Sequence, residues 1–184
     1  MNIAPFQPLE TDRLRLRCVV ADDAPALTRL ITPAVSRWVA SWPVPLTPEI
    51  ALTRIMTALK LAFAGDLLPV AIIEKESAEL IGWTEIYRDA KARERGSLGY
   101  WLGEKYHGKG YMKELAPVVV VAGFALLNLT VIEAGAQPGN TASFAVMRAL
   151  GMKRVREEMV YAPARKRDEL CYFYEIYRPT AQTI

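Results

Sequence analysis

The sequence predicts an α/β protein built on one mixed sheet, with its elements in the order βααβββαβαββ. Three observations support this fold class. Residues 13–17 alternate between arginine and apolar side chains, which is typical of a half-buried strand. Two stretches with apolar residues at helical spacing follow, and short apolar runs then alternate with helical ones to the end of the chain. We therefore expect helices on both faces of the sheet.

Strand 13–17 is followed by two predicted helices. Asp22 or Asp23 can cap the first helix, which has a proline in its first turn. Thr47 caps the second helix, and Gly65 ends it. The residues of the second helix that we expect to face the core recur at helical spacing: they are Leu52, Ile55, Met56, Leu59 and Phe63.

The middle of the chain predicts a hairpin, a third strand and the longest helix. Strands 70–74 and 80–87 flank a polar tip, and a charged loop then leads to strand 98–102. Residues 111–128 contain four consecutive valines, which lower helix propensity. We still predict a helix because the apolar run is too long for a strand.

The last part of the chain predicts a strand, a helix and a closing pair of strands. Asn140 caps the helix and Gly151 follows its last turn. The three predicted strands are 130–136, 154–161 and 169–177.

Size and composition favour a single globular domain, which we expect to span residues 1–184. The net charge of +3 is mild, and the basic residues are interleaved with acids, which argues against nucleic-acid binding. The longest apolar run, 116–127, is too short to span a bilayer. The N-terminal residues lack a signal-peptide pattern, and Cys18 and Cys171 have no metal-ligand spacing. We expect a cytoplasmic protein with no metal and no membrane partner.

The most informative functional segment is 98–115, LGYWLGEKYHGKGYMKEL. A strand passes through His107-Gly108-Lys109-Gly110 into the helix that starts at Tyr111. Glycines let main-chain N–H groups approach an anion, and the unpaired amides of a first helical turn favour one. The segment lacks the third glycine of the dinucleotide fingerprint and the Gly-Lys-Ser/Thr of a P-loop. A phosphate site is therefore expected, and an ordinary strand-turn-helix connection is the alternative.

The same segment resembles the acetyl-CoA signature Arg/Gln-x-x-Gly-x-Gly/Ala of the GNAT superfamily of N-acetyltransferases. His107 stands for Arg/Gln, Gly110 matches, and Met112 stands where a small residue is usual. Asn140-x-x-Ser143, followed by Leu-Gly-Met, resembles the Asn-x-x-Ser…Leu-Gly-Phe segment of that family.

Two further stretches, ETDRLRLR at 10–17 and WPVPLT at 42–47, resemble the RimJ/RimL branch, whose members acetylate N-terminal amines of ribosomal proteins. The resemblance covers essentially the whole chain. It implies the GNAT acyl-CoA N-acyltransferase fold, acetyl-CoA as co-substrate, and direct transfer of the acetyl group to an amine.

The resemblance also implies a role for particular residues in holding acetyl-CoA. Main-chain amides of 107–112 are expected to hold the pyrophosphate, and Lys109 to add charge. The main chain of Trp101 and Leu102 is expected to pair with the pantetheine arm, and an N–H near Leu102 to stabilise the oxyanion. Asn140 contacts a CoA amide, caps a helix, or does both. The expected cofactor-binding residues are Trp101, Leu102, His107, Gly108, Lys109, Gly110, Tyr111, Met112, Asn140 and Ser143.

The catalytic residues are harder to assign, because the family often has Glu two residues before Gly-Tyr and this chain has Ser97. Glu85 is the candidate base, since alternation places it on one face with Trp83 and Tyr87, and an acid among aromatics has a raised pKa. The alternative is that Glu85 faces solvent or pairs with an arginine. Ser143 is expected to protonate the leaving thiolate, or only to bond the backbone of its helix. His107 is expected to support the loop rather than to act in acid–base catalysis.

The acceptor pocket is expected to contain aromatic residues, with plain packing as the alternative for each: Trp38, Trp42, Trp83 and Tyr87. The leading hypothesis is a RimJ/RimL-like N-acetyltransferase, monomeric or homodimeric, acting on a peptide N-terminus or a small amine. A peptide α-amine has a pKa of about 8 against about 10.4 for lysine, so it needs only a modest base. The alternative is a CoA-binding or sensing module without efficient turnover, which Ser97 favours.

Overall fold

The computed structural model describes residues 5–179. In this part of the chain, eight strands form one sheet, accompanied by five α-helices. The strands are β1 (Leu9–Glu10), β2 (Leu14–Cys18), β3 (Leu67–Glu74), β4 (Leu80–Arg88), β5 (Arg95–Leu102), β6 (Val131–Ala136), β7 (Lys153–Ala162) and β8 (Arg167–Tyr177). The helices are α1 (Ala24–Leu30), α2 (Pro33–Ser36), α3 (Pro48–Phe63), α4 (Tyr111–Leu126) and α5 (Thr141–Ala149).

The predicted fold class is confirmed, with two short additions to the predicted order. These are the two-residue strand β1 and the one-turn helix α2. The strands lie in the order β1-β2-β3-β4-β5-β6-β8-β7. Every neighbouring pair is antiparallel except β5 and β6, which are parallel. Parallel neighbours need a crossover, and α4 supplies it.

Helices cover both faces of the sheet, as predicted. Side chains alternate along β4, so Ile86 and Glu85 point to opposite faces. Ile86 packs against Gly123 of α4, where the missing side chain allows the strand and the helix to approach closely. Glu85 lies on the face of α3, near the charge of Arg54. We call these the α4 face and the α3 face.

Helix α3 buries a different stripe from the one predicted. Ala51, Ile55 and Ala58 face the core, whereas Leu52, Met56 and Phe63 are 41%, 53% and 63% exposed. The prediction was wrong for those three residues because hydropathy ranks them above alanine. The helix instead turns its two alanines inward, where small side chains fit against the sheet.

The remaining element predictions differ mainly at their ends. Strand β5 begins at Arg95, inside the predicted charged loop, because its first residues pair with both β4 and β6. The four-valine segment is helical, as predicted. None of the helices between residues 5 and 179 has the length and apolar character needed to cross a membrane.

Candidate active site

The central feature of the site is a gap between the two parallel strands. Strands β5 and β6 pair only at Arg95–Val131, Gly96–Ile132 and Ser97–Glu133. Strand β5 continues to Leu102 and β6 to Ala136 without further pairing to each other. The last five residues of β5 therefore present one edge of main-chain groups that β6 does not use.

The register of β4 and β5 decides which residues face this gap. Gly103 donates its N–H to Ile81 of β4 at 2.9 Å. Main-chain groups in an antiparallel pair alternate in direction, so Trp101 also points its N–H and C=O at β4. Tyr100 and Leu102 point theirs toward the gap. The prediction that the main chain of Trp101 faces the gap was therefore wrong, and Tyr100 takes its place beside Leu102.

His107 supports the end of β5. Its ring Nε2 lies 2.8 Å from the carbonyl oxygen of Leu102, so an N–H there donates to that oxygen. The carbonyl of Leu102 is thereby occupied, and its N–H remains directed at the gap. This contact agrees with the expectation that His107 holds the loop.

The turn before α4 offers a row of main-chain donors. Gly108 and Gly110 have φ values of +74° and +79°, in the left-handed region that residues with a Cβ atom rarely adopt. Within residues 5–179, the amides of 108–112 donate no hydrogen bond. The amide of His107 is different, because it donates to Glu104 at 3.0 Å. The predicted donor set therefore shortens by one residue, and five adjacent amides stand free at the start of a helix.

A brace that the sequence analysis missed holds this turn. Arg13 donates from Nη1 to the carbonyl of Lys109 at 3.0 Å and from Nε to Glu114 at 2.7 Å. Glu114 also accepts from the hydroxyl of Thr11 at 2.5 Å and from the N–H of Arg13 at 2.8 Å. The guanidinium lies 4.5 Å from the ring centre of Tyr111. The ETDRLRLR stretch was the only signal for it, and its partners lie about a hundred residues away.

The first turn of α5 lies on the α4 face of the gap. Asn140 accepts a hydrogen bond from the N–H of Ser143 at 3.2 Å, so it caps the helix as predicted. Tyr100 donates its hydroxyl to the carbonyl of Ser143 at 3.2 Å. Burial raises the pKa of Tyr100 to about 12, which keeps it protonated. In the described residues the hydroxyl of Ser143 has no hydrogen-bond partner, so it is free to act.

Glu85 lies on the opposite, α3 face of the sheet. Its carboxylate accepts the indole N–H of Trp83 at 3.0 Å. Burial raises the pKa of Glu85, and the bond from Trp83 and the charge of Arg54 reduce the rise without cancelling it. Across the strand pair lies Gly99, where an added Cβ would meet only Glu85, at 3.7 Å. The carboxylate therefore borders an opening that Gly99 leaves over β5.

A second carboxylate stands beside Ser97. Ser97 donates its hydroxyl to Glu133 of β6 at 3.2 Å. Glu133 is also paired with Arg156 at 2.9 Å and lies 3.6 Å from Arg95. These groups border a polar cavity of about 190 Å³ that also includes Asp89. Because Glu133 is held by arginines, Glu85 is the better candidate for a base.

The four residues predicted for the aromatic pocket differ in burial. Trp42 packs edge-on against Trp83 and Trp101, with ring centres 5.3 and 4.9 Å apart. All three rings are at most 5% exposed. The prediction that Trp42 and Trp83 line the acceptor pocket was therefore wrong; they form a buried layer that supports Glu85. Trp38, half-buried against Gly139, and Tyr87, 45% exposed, remain at the surface.

Comparison with known proteins gives consistent results. Residues 13–153 match the family model described as the acetyltransferase (GNAT) domain. The uncharacterized N-acetyltransferase p20 of Bacillus licheniformis is 30% identical over 154 residues, which cover 81% of this chain and 84% of that protein.

Two solved structures share the fold over nearly the whole chain. The ribosomal-protein-S5-alanine acetyltransferase from Vibrio fischeri has a TM-score of 0.78 at 23% identity, covering 95% of this chain and 100% of that one. Mycobacterium smegmatis RimJ in complex with CoA-disulfide has a TM-score of 0.80 at 22% identity, covering 93% and 86%. The predicted fold is the fold of these acetyltransferases.

Proposed function

The chain belongs to the GNAT family of acetyltransferases, which makes it an acetyl-CoA-dependent N-acetyltransferase, and we propose that its acceptor is the α-amine of a peptide or protein N-terminus. One observation supports the assignment of the site: a free strand edge and a row of free main-chain amides lie one after the other. The unused edge of β5 runs toward the five free amides at the start of α4. A phosphate-bearing, amide-rich thiol carrier has the chemistry to fill both.

Acetyl-CoA fits this arrangement from its diphosphate to its thioester. The amides of 108–112 and the dipole of α4 suit the diphosphate. Tyr100 and Leu102 offer main-chain groups to the amides of the pantetheine arm, in the manner of an added strand. The N–H of Leu102, whose carbonyl His107 already binds, is the donor we assign to the oxyanion.

Glu85 and Ser143 are assigned to the two proton transfers, from opposite faces of the sheet. The amine nitrogen attacks the carbonyl carbon of the thioester; a C–N bond forms and the C–S bond breaks. The amine proton passes to Glu85, directly or through a water. The departing thiolate takes a proton from the hydroxyl of Ser143, which regains one from solvent.

The choice of an α-amine rests on chemistry and on likeness. A carboxylate remains a weaker base than an amine when burial raises its pKa, so it suits an amine of pKa about 8 better than one of about 10.4. The stretches 10–17 and 42–47 resemble the RimJ/RimL branch, and the Vibrio fischeri protein is by its name a ribosomal-protein alanine acetyltransferase.

A thiol-release assay with acetyl-CoA tests the proposal. Peptides with a free N-terminus should release CoA, and the same peptides with a formylated N-terminus should not. Peptides blocked at the N-terminus but carrying an internal lysine should be at least tenfold slower. Faster release with the blocked lysine peptides would refute the α-amine acceptor.

A second candidate function is a CoA-binding or sensing module, and the hydrogen bond of Ser97 to Glu133 favours it. Here the position where the family often has an acid holds a hydroxyl, and the nearby carboxylate is neutralised by Arg156. This function predicts tight binding of acetyl-CoA with no release from any amine or peptide. Release that depends on Glu85 would exclude it.

A further inference from the structure

Arg13 is the side chain that binds the main chain in the middle of the phosphate turn. Lys109 lies between two glycines that both have left-handed φ values, and glycine is the residue with the widest conformational freedom. Residues 107–110 are all exposed. The contact from Arg13 to the carbonyl of Lys109 therefore supplies order that the turn lacks by itself.

The geometry of a trans peptide transmits this contact to the anion site. In a trans peptide the C=O and the following N–H point in opposite directions. The Lys109–Gly110 bond is trans, so binding the carbonyl of Lys109 turns the N–H of Gly110 away from Arg13. Gly110 is also the N-cap of α4, and its own carbonyl accepts from Glu114 at 3.2 Å. Both sides of Gly110 are thus fixed.

Glu114 fixes the guanidinium in turn. Burial favours the neutral form of Glu114, but the hydrogen bonds from Thr11 and Arg13 outweigh it, and the pKa of Glu114 is lowered. A carboxylate in the first turn of α4 would repel a diphosphate bound there. Arg13 lies 2.7 Å from it and neutralises its charge. Loss of Arg13 would therefore release the turn and also expose an unpaired negative charge.

We propose that Arg13, held by Glu114, which also accepts a hydrogen bond from Thr11, is a positioning residue that aims the Gly110 amide at the diphosphate of CoA. This inference rests on the CoA site of the proposed function but not on the identity of the acceptor. It assigns a purpose to the start of the ETDRLRLR stretch, whose other residues include most of β2.

Binding measurements on donor fragments test the proposal without any acceptor. Calorimetry on Arg13→Gln should give about a tenfold weaker Kd for CoA, as expected for loss of one charge-assisted contact. The Kd for pantetheine, which has no phosphate, should change less than twofold. A merely structural role would weaken both ligands equally.

Matched variants keep the result interpretable. Arg15→Gln removes an exposed arginine two residues further along, in β2, where its partner is Glu10, and should leave both Kd values unchanged. Arg13→Lys keeps the charge near Glu114 and should recover part of the affinity for CoA. Equal loss for CoA and pantetheine, or no loss for CoA in a folded Arg13→Gln protein, would overturn the proposal. If the unmodified protein binds CoA but acetylates no peptide, that result would count against the proposed function and not against the role of Arg13.

Discussion

Trp83 donates its indole N–H to the carboxylate of Glu85, and this bond orients a half-buried acid toward the opening left by Gly99. The two residues are two positions apart in β4 and therefore share one face of the strand, so a single strand supplies both the acid and its support. The bond favours the ionised form of Glu85, whereas burial favours the neutral form. The effect of burial is the larger, so the pKa of Glu85 is raised above its ordinary value, which suits a general base.

Replacement of Glu85 by glutamine should lower kcat by about 10²-fold, the usual scale for loss of a general base. Only the ionised carboxylate accepts a proton, so kcat/KM of the unmodified protein should rise with pH through a pKa above 4.5. That limb should be missing in Glu85→Gln.

The control is Glu94→Gln, which changes an exposed carboxylate outside the site and should leave the pH profile unchanged. The profile is measured as initial rates of thiol release between pH 5 and 9. An acid limb of the same position in Glu85→Gln would assign the base to another residue.

Gly110 and Gly65 provide a matched pair for the phosphate turn. Both have positive φ, at +79° and +74°, and an added Cβ meets no atom within 4 Å at Gly65 and only Arg13 at Gly110. Alanine should therefore cost each site about 1 kcal/mol of backbone strain. Only Gly110→Ala should weaken CoA binding, because only its amide faces the anion. Chemical denaturation and calorimetry on both variants measure the two effects, and equal CoA affinities would contradict the site.

Ser143 and Asn140 separate catalysis from helix capping. Ser143 uses its main-chain N–H and C=O in the fold, while its hydroxyl is free among residues 5–179. Ser143→Ala should therefore lower kcat with little change in the free energy of unfolding. Asn140→Ala removes the cap and should lower that free energy by about 1 kcal/mol. If Ser143→Ala destabilises the protein and leaves kcat intact, the hydroxyl has only a structural role.

Glu169 should make stability depend on pH in the acid range. The hydrogen bond from Arg165 is the largest cause that lowers its pKa, to about 2 from an ordinary 4.5, and Gln137 and Arg167 add to it. A depressed pKa stabilises the fold above pH 4.5, and that stabilisation is lost as the pH falls toward 2. Glu169→Gln should therefore cost about 1–2 kcal/mol at pH 7 and much less at pH 3.

Urea denaturation at the two pH values checks this, with the exposed Glu157→Gln as control. A constant difference between Glu169→Gln and the unmodified protein would mean that the ion pair is not its source. Arg165 also bonds the carbonyls of Ser36 and Val39. Loss of the pair should therefore also loosen the loop that contains Trp38.

Local sequence patterns predicted the elements well, because caps and glycines leave strong signals. Thr47, Asn140 and Gly110 mark helix starts that the structure places within a residue of the prediction. Glu85 was placed on its face by alternation alone. The turn proposed to hold acetyl-CoA could be predicted because its glycines and its helix are adjacent in sequence.

What the sequence did not reveal depends on contacts between distant segments. The direction of the Trp101 main chain depends on the register with β4, which no local pattern encodes. Burial of Trp42 and Trp83 arises from packing between a loop and the sheet. The Arg13–Glu114 pair joins residues separated by 101 positions. Such features follow from topology and need coordinates.

Three residue pairs are all that join β5 to β6, so the sheet is two halves sharing a short seam. An acetyl-CoA molecule lying along the rest of that seam would act as a missing ninth strand and tie the halves together. Binding of acetyl-CoA would then stabilise the protein against heat, and its unfolding temperature should rise with acetyl-CoA concentration. Deuterium uptake at the Tyr100 and Leu102 amides should slow at the same time, giving a report on loading that needs no turnover.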